Sequence, residues 1–158
     1  MKKGDEAGAI ADFTSAIKQN PKDADAYSGR GEIERTKADY DDAITDYNHA
    51  IELKPKSAFA YCGRGNAKVG NYDDDGAIVD YTKAIEIDPK YWWAYWDRGL
   101  TKKHMSNYDG AIADFTEAIK LDPKNAEIYR ERSELRRWTG DYNGAMADLN
   151  KAASLGQN

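Results

Sequence analysis

The sequence predicts an all-α solenoid, a stack of short helical hairpins, and two observations lead to this fold class. First, related segments such as DYNHAIELKPKS and DFTEAIKLDPKN recur every 34 residues, starting at Asp12, Asp46, Asp80 and Asp114, with a degenerate fifth copy at Asp148. Second, apolar residues inside each copy follow the spacing of one helix face. Repeats of this length are typical of stacked helical units that bury a continuous core.

Each repeat is expected to contain two helices, called A and B below. The A helix carries one tyrosine per repeat, at Tyr27, Tyr61, Tyr95 and Tyr129. A glycine follows four residues later in the first three of these, which suggests that another backbone comes very close. The B helix is followed by a proline, which cannot continue it. These prolines are Pro21, Pro55, Pro89 and Pro123.

The predicted array is a single domain of about four and a half repeats. Residues 1–23 supply only a B helix, residues 24–57, 58–91 and 92–125 are full repeats, and residues 126–158 form the C-terminal repeat. The repeat at 58–91 is expected to be irregular, because GNAKVGN is two residues shorter than its counterpart GLTKKHMSN. We therefore expect its A helix to be shortened by about half a turn, with Tyr72 displaced.

The pattern resembles the tetratricopeptide repeat family over essentially the whole chain. The family consensus has an aromatic residue, a Leu-Gly pair and a Tyr, followed by Ala, an aromatic residue, Ala and Pro. In this chain the leucine is replaced by Arg30, Arg64, Arg98 and Arg132. The resemblance implies a right-handed superhelix of helix-turn-helix repeats with a concave groove lined by the A helices. It also implies a non-catalytic scaffold that binds a protein or peptide in that groove.

The family register places the groove-facing residues at the second, fifth, ninth and twelfth positions of each A helix. These positions carry Asp25, Ser28, Glu32 and Arg35; Phe59, Cys62 and Asn66; Trp93, Trp96, Leu100 and Lys103; and Glu127, Arg130, Glu134 and Arg137. The centre is apolar and aromatic, and both flanks are charged, as at many interfaces. We therefore expect Trp93 and Trp96 to anchor a ligand whose basic end lies near Asp25 and Glu32 and whose acidic end lies near Arg130 and Arg137. The carboxylate clamp of chaperone-binding family members is absent.

Catalysis and metal binding have little support in the sequence. The two histidines, His49 and His104, lie in different repeats, and the single cysteine, Cys62, is expected to be a semi-exposed thiol without a nearby base. The acidic clusters 39–42 and 73–75 lack the spacing of a calcium loop and are expected to cap helices. The sequence thus predicts no catalytic residue, no metal and no cofactor.

Nucleic-acid and membrane binding are also disfavoured. The net charge of −5 opposes binding to phosphates. The recurring arginines are expected to pair with the recurring aspartates, including Asp12, in a ladder that links neighbouring helices. No run of about 18 apolar residues indicates a membrane span, and the absence of a signal-peptide core favours the cytoplasm.

The alternative function is self-assembly through open array ends. Ile10, Phe13, Ala16 and Ile17 at the start, and Met146, Leu149 and Ala152 at the end, are expected to lack a covering helix. Since solenoids need capped ends for solubility, this pattern predicts end-to-end homo-oligomers. An enzyme or an RNA-binding repeat is the third alternative.

Overall fold

The computed structural model describes residues 6–156, which form nine α-helices and no strand. The helices are α1 (Glu6–Gln19), α2 (Ala24–Thr36), α3 (Tyr40–Leu53), α4 (Ala58–Gly70), α5 (Asp74–Ile87), α6 (Trp92–His104), α7 (Tyr108–Leu121), α8 (Ala126–Trp138) and α9 (Tyr142–Leu155). Residues 1–5 and 157–158, which belong to the expected first and last repeats, lie outside the described residues. None of the described helices is long and apolar enough to cross a membrane.

The helices form two compact units, one that ends at Ile87 and one that begins at Asp88. The first unit contains α1 to α5, and the second contains α6 to α9. Within each unit every helix packs against the next one along the chain. The connections are short, so neighbouring helices are antiparallel. The even-numbered helices are the expected A helices, and the odd-numbered helices are the B helices.

Aromatic residues of the B helices fill the core between small residues of the A helices. Tyr47 on α3 and Phe115 on α7 are fully buried. A Cβ atom added at Gly99 of α6 would lie 2.6 Å from the Phe115 ring. At Gly31 of α2 the nearest atom is a backbone atom, the Ala43 carbonyl oxygen, at 3.2 Å. A close approach therefore favours glycine at both positions: a ring of α7 approaches Gly99, and a backbone atom of α3 approaches Gly31.

The repeat at 58–91 does not have the shortened A helix that the sequence analysis predicts. Helix α4 has 13 residues, the same length as α2, α6 and α8, so the prediction of a shortened helix is wrong. The sequences align at a spacing of 34 without any gap, and Tyr72 simply occupies the left-handed turn position, with φ of 62°. In the other repeats Ala38, Ser106 and Gly140 have the same backbone conformation.

The acidic clusters lie at the starts of B helices, as expected. Asp73 accepts a hydrogen bond from the Gly76 amide at 2.9 Å and thus caps α5. Asp39 holds the equivalent position before α3, but its carboxylate accepts a hydrogen bond from Lys37 Nζ at 2.6 Å instead. Both clusters place negative charge where a helix dipole stabilises it.

The expectation of open apolar ends is met only in part. Phe13 of α1 is partly buried because its ring lies against Gly29 of α2. On α9, Met146 is 59% exposed and Leu149 is 44% exposed, whereas Ala152 is buried. The large exposed apolar side chains of α9 therefore lie in its first eight residues, up to Leu149.

Candidate protein-binding site

Each A helix is fixed by an arginine that makes two hydrogen bonds to a buried aspartate of the B helix in the same repeat. Arg64 reaches Asp80 with distances of 2.9 and 2.6 Å, and Arg132 reaches Asp148 with distances of 2.9 and 2.6 Å. The other pairs are Arg30–Asp46 and Arg98–Asp114. Such two-point bonds between charged groups are strong and directional. The predicted ladder is confirmed for these four pairs, but Asp12 is exposed and joins none of them.

The same arginines also reach back to the preceding B helix. Arg30 Nη1 donates to Thr14 Oγ1 at 3.1 Å, and Arg64 Nη1 donates to Asn48 Oδ1 at 2.7 Å. Arg132 Nη1 donates to Thr116 Oγ1 at 3.0 Å. Each of these arginines, carried by an A helix, therefore hydrogen-bonds to the B helix before it and to the B helix after it. These bonds fix the rotation of the A helix about its own axis and thus which of its residues face outward.

A second cation supports the aspartate in three repeats. Lys68, Lys102 and Arg136 lie within 2.9, 2.8 and 3.0 Å of Asp80, Asp114 and Asp148 respectively. The equivalent residue in the first full repeat is Glu34. Burial and, next, the Asp46 carboxylate raise the pKa of Glu34 to about 7.

In the first unit, the predicted groove residues differ widely in accessibility. Phe59 is 48% exposed, whereas Ser28 and Cys62 are buried. The prediction of a semi-exposed thiol is therefore wrong: the fifth position of α2 and of α4 points into packed side chains. Asn66 accepts a hydrogen bond from the Tyr81 hydroxyl at 2.6 Å.

The acidic groove residues of the first unit already have cationic partners. Glu32 accepts two hydrogen bonds from Arg35 at 3.0 and 2.6 Å and one from the Tyr47 hydroxyl at 2.9 Å. Asp25 lies 3.3 Å from Lys54 Nζ in an exposed pair. The negative charge of Glu32 is thus neutralised within the protein, which weakens the case for a basic ligand end at this place.

In the second unit, Trp93, Trp96 and Leu100 form an apolar row along α6, called the α6 strip below. Trp93 is 48% exposed, and its ring stacks on Trp92 with a centroid distance of 3.9 Å. Trp96 is partly buried and packs against Phe115 at 5.4 Å. Leu100 is also partly buried against the same core. In the α6 strip, therefore, the Trp93 ring is exposed, whereas Trp96 and Leu100 pack against the core.

The charged groove residues of the second unit fall into two groups. Lys103 bonds Glu131 at 2.7 Å and Glu134 at 2.6 Å, which joins α6 to α8. Arg130 and Arg137 of α8 are exposed and make no ion pair with any residue in 6–156. Glu127, the remaining predicted charged groove residue of this unit, is likewise exposed and makes no ion pair with a residue in 6–156.

Comparison with known proteins identifies the family. The family model for the TPR repeat matches residues 31–71 and 104–134. The TPR domain of Arabidopsis OM64 is 30% identical, with a match that covers 72% of this chain and 94% of that chain at a TM-score of 0.70. The chain belongs to the tetratricopeptide repeat family. Tetratricopeptide repeat proteins are generally non-catalytic scaffolds that bind protein partners.

Other solved structures confirm the all-α tetratricopeptide fold. A crystal structure of MamA is 25% identical and superposes with a TM-score of 0.88, covering 98% of this chain and 91% of that chain. TTC0263, a thermophilic TPR protein of Thermus thermophilus, is 22% identical with a TM-score of 0.81, covering 98% of this chain and 85% of that chain. No curated protein matches the chain significantly.

Sequence reasoning missed two features of this tetratricopeptide repeat protein. The second cation of the ladder follows the arginine by four residues in three repeats, and this spacing was visible in the sequence. Lys103 pairs with both Glu131 and Glu134 and so joins two repeats. This contact could not be predicted from the periodicity, because the other repeats lack the pair of acidic residues.

Proposed function

We propose that this chain is a non-catalytic scaffold that binds a segment of another polypeptide on its A helices, with Trp93 of the α6 strip as the anchor. The observation that carries the proposal is the exposure of Trp93, whose side chain is 48% exposed on a fixed base. Tryptophan is enriched among residues that dominate binding energy at interfaces. Its large apolar surface and its N–H group suit an apolar ligand side chain beside a carbonyl acceptor.

The packing around Trp93 supports this assignment because it holds the ring in place before a ligand arrives. The stack on Trp92 has an interplanar angle of 25°. Trp96, one turn later, is held by Phe115. A preorganised ring loses little conformational freedom on binding, so more of the buried area contributes to affinity. The ligand class that fits is an extended or helical peptide with an aromatic or aliphatic anchor residue.

The experiment uses random peptides displayed on phage and selected on the immobilised full chain. We expect enrichment of peptides with an aromatic or aliphatic anchor. Trp93→Ala should weaken the binding of the selected peptides at least tenfold. The matched control is Trp138→Ala, because Trp138 is 51% exposed but lies at the end of α8, outside the α6 strip. Selected peptides should bind the control variant as they bind the wild type.

Two results would overturn the proposal. One is a selection that enriches no peptide; the other is undiminished binding to Trp93→Ala. Trp96→Ala is a poor test, because Trp96 packs against the core and its removal is expected to destabilise the fold by up to about 3 kcal/mol.

A further inference from the structure

Four charged residues form a continuous stripe along α8, called the α8 stripe below. They are Glu127, Arg130, Glu134 and Arg137, at relative positions 0, 3, 7 and 10. Residues with these spacings share one side of an α-helix. Their signs alternate along the helix, so the stripe presents acid, base, acid and base in order.

The α8 stripe is mostly unpaired within the protein. Glu127, Arg130 and Arg137 are exposed, and none of the three makes an ion pair with a described residue, although an opposite charge lies one turn away. Glu134 accepts a hydrogen bond from Lys103 at 2.6 Å, yet its side chain is 39% exposed and retains further acceptor sites. The stripe is therefore available to groups from outside.

An apolar surface lies beside the stripe. An open depression of about 320 Å³ is lined by Arg130, Glu131, Ser133, Glu134, Arg137, Ala145 and Leu149. Leu149 is 44% exposed, whereas Tyr47 and Phe115, which hold the same position in earlier B helices, are fully buried. Met146 and Tyr142, one and two turns before Leu149 on α9, are 59% and 69% exposed. Contiguous apolar surface with a charged border is typical of an interaction site.

We infer that this surface binds a second copy of the same chain, with the two α8 helices antiparallel about a two-fold axis through Arg132. The four positions are symmetric about residue 132, and each charge has the opposite sign at its mirror position. In this register Glu127 faces Arg137 of the second copy, and Arg130 faces Glu134 of the second copy. The two-fold axis repeats each contact, which gives four ion pairs.

The occupant is a second copy because the stripe is complementary to itself. In an isologous interface the same patch serves both partners, so every charge must meet its opposite after a two-fold rotation. Antiparallel alignment about Arg132 satisfies this condition for all four charges. Leu149 and Met146 supply apolar area, while the charges fix orientation and register. This inference is independent of the proposed peptide binding, since the α6 strip takes no part in it.

The test is a charge exchange at positions 127 and 137, measured by sedimentation equilibrium of the full chain. Wild type should show a reversible monomer–dimer equilibrium. Arg137→Glu places two acids opposite each other, and Glu127→Arg places two bases opposite each other. Each single variant should raise the dimer dissociation constant at least tenfold. Glu127 and Arg137 are exposed, so circular dichroism should show unchanged helix content in both variants.

Combining the two substitutions in one chain tests the antiparallel register of the two α8 helices. The double variant E127R/R137E should dimerise as the wild type does, because each new base again faces a new acid. An equimolar mixture of the two single variants should form a heterodimer, detected by native mass spectrometry. The controls are Lys124→Glu and Glu52→Arg, which change exposed charges elsewhere and should leave dimerisation unaltered.

Three outcomes would overturn the inference. A wild-type chain that stays monomeric at all concentrations up to its solubility limit excludes the interface. Single variants that dimerise like the wild type show that the α8 stripe is not at the contact. A double variant that remains monomeric shows that the antiparallel register is wrong.

Discussion

At the scale of single residues, the arginine of each A helix replaces apolar packing with a charge-assisted bond to a buried carboxylate. Asp46, Asp80, Asp114 and Asp148 are all at most 4% exposed. A buried carboxylate is tolerated only when its charge is matched and its oxygens are hydrogen-bonded. Three repeats meet this demand with two cations, and the repeat with Glu34 meets it with one.

Glu34 should make the stability of the fold depend on pH. The pKa of Glu34 is raised from 4.5 to about 7 by burial and by Asp46, so the folded chain holds a proton that the unfolded chain releases. The contribution of Glu34 to stability should therefore fall as the pH rises from about 4.5 to about 7 and stay constant above that range. Glu34→Lys restores the second cation, as at Lys68, and should stabilise the chain by about 1–2 kcal/mol at pH 8.

Urea denaturation at pH 5 and pH 8 checks this expectation. The quantity compared is the difference in unfolding free energy between wild type and variant, which cancels the titration of other groups. Glu34→Gln serves as the control: it also lacks the titrating carboxyl group, so its difference from the wild type should depend on pH as that of Glu34→Lys does, but without the gain from an added cation. An unfolding free energy that differs from the wild type by the same amount at both pH values would contradict the raised pKa.

At the scale of elements, the turn between the A and B helices requires a left-handed residue that only one repeat supplies as glycine. Tyr72 has φ of 62° and is 92% exposed, so its ring contributes little packing. A non-glycine residue in this conformation costs about 1 kcal/mol. Tyr72→Gly should therefore stabilise the chain, by up to about 1 kcal/mol.

The reverse change at the equivalent position is the matched comparison. Gly140 has φ of 89°, and a Cβ atom added there meets nothing within 4 Å, so Gly140→Ala tests the backbone conformation alone. It should destabilise the chain by about 1 kcal/mol in thermal and urea unfolding. Tyr72→Gly should thus raise the free energy of unfolding, and Gly140→Ala should lower it. If both substitutions changed it in the same direction, the turn conformation would not be the cause.

The elements also show how far a sequence can be interpreted. Fold, helix number and the ladder pairs follow from periodicity, because each depends on residues that recur at 34. The prediction of a shortened α4 was wrong because it aligned the last residue of GNAKVGN, Asn71, with the last residue of GLTKKHMSN, Asn107. The ungapped spacing of 34 instead aligns Asp73 with Asn107, and both cap the B helix that follows. The burial of Cys62 and the packing of Trp96 on Phe115 could not be foreseen, since both depend on how closely successive helices pack.

At the scale of the whole molecule, a repeat protein is stabilised by contacts between neighbouring elements only. Within each unit, helices pack on the next helix along the chain, and α2 also contacts α4. Stability in such proteins is approximately a sum of repeat and nearest-neighbour terms. Damage to one repeat should therefore loosen that repeat and its neighbours and leave distant repeats protected.

Asp80→Ala provides the test of this local coupling. Asp80 is 2% exposed and bonds Arg64 and Lys68, so its removal leaves two cations without their acceptor. The expected loss is about 3 kcal/mol in urea denaturation. Asp12→Ala, at the exposed copy of the same motif that makes no ion pair with a residue in 6–156, should change stability by less than about 0.5 kcal/mol. Hydrogen exchange of Asp80→Ala should accelerate in α4 and α5 while α8 and α9 keep their protection, because no contact in the second unit depends on Asp80. Acceleration of equal size in all helices would instead mean that the chain opens as one cooperative block.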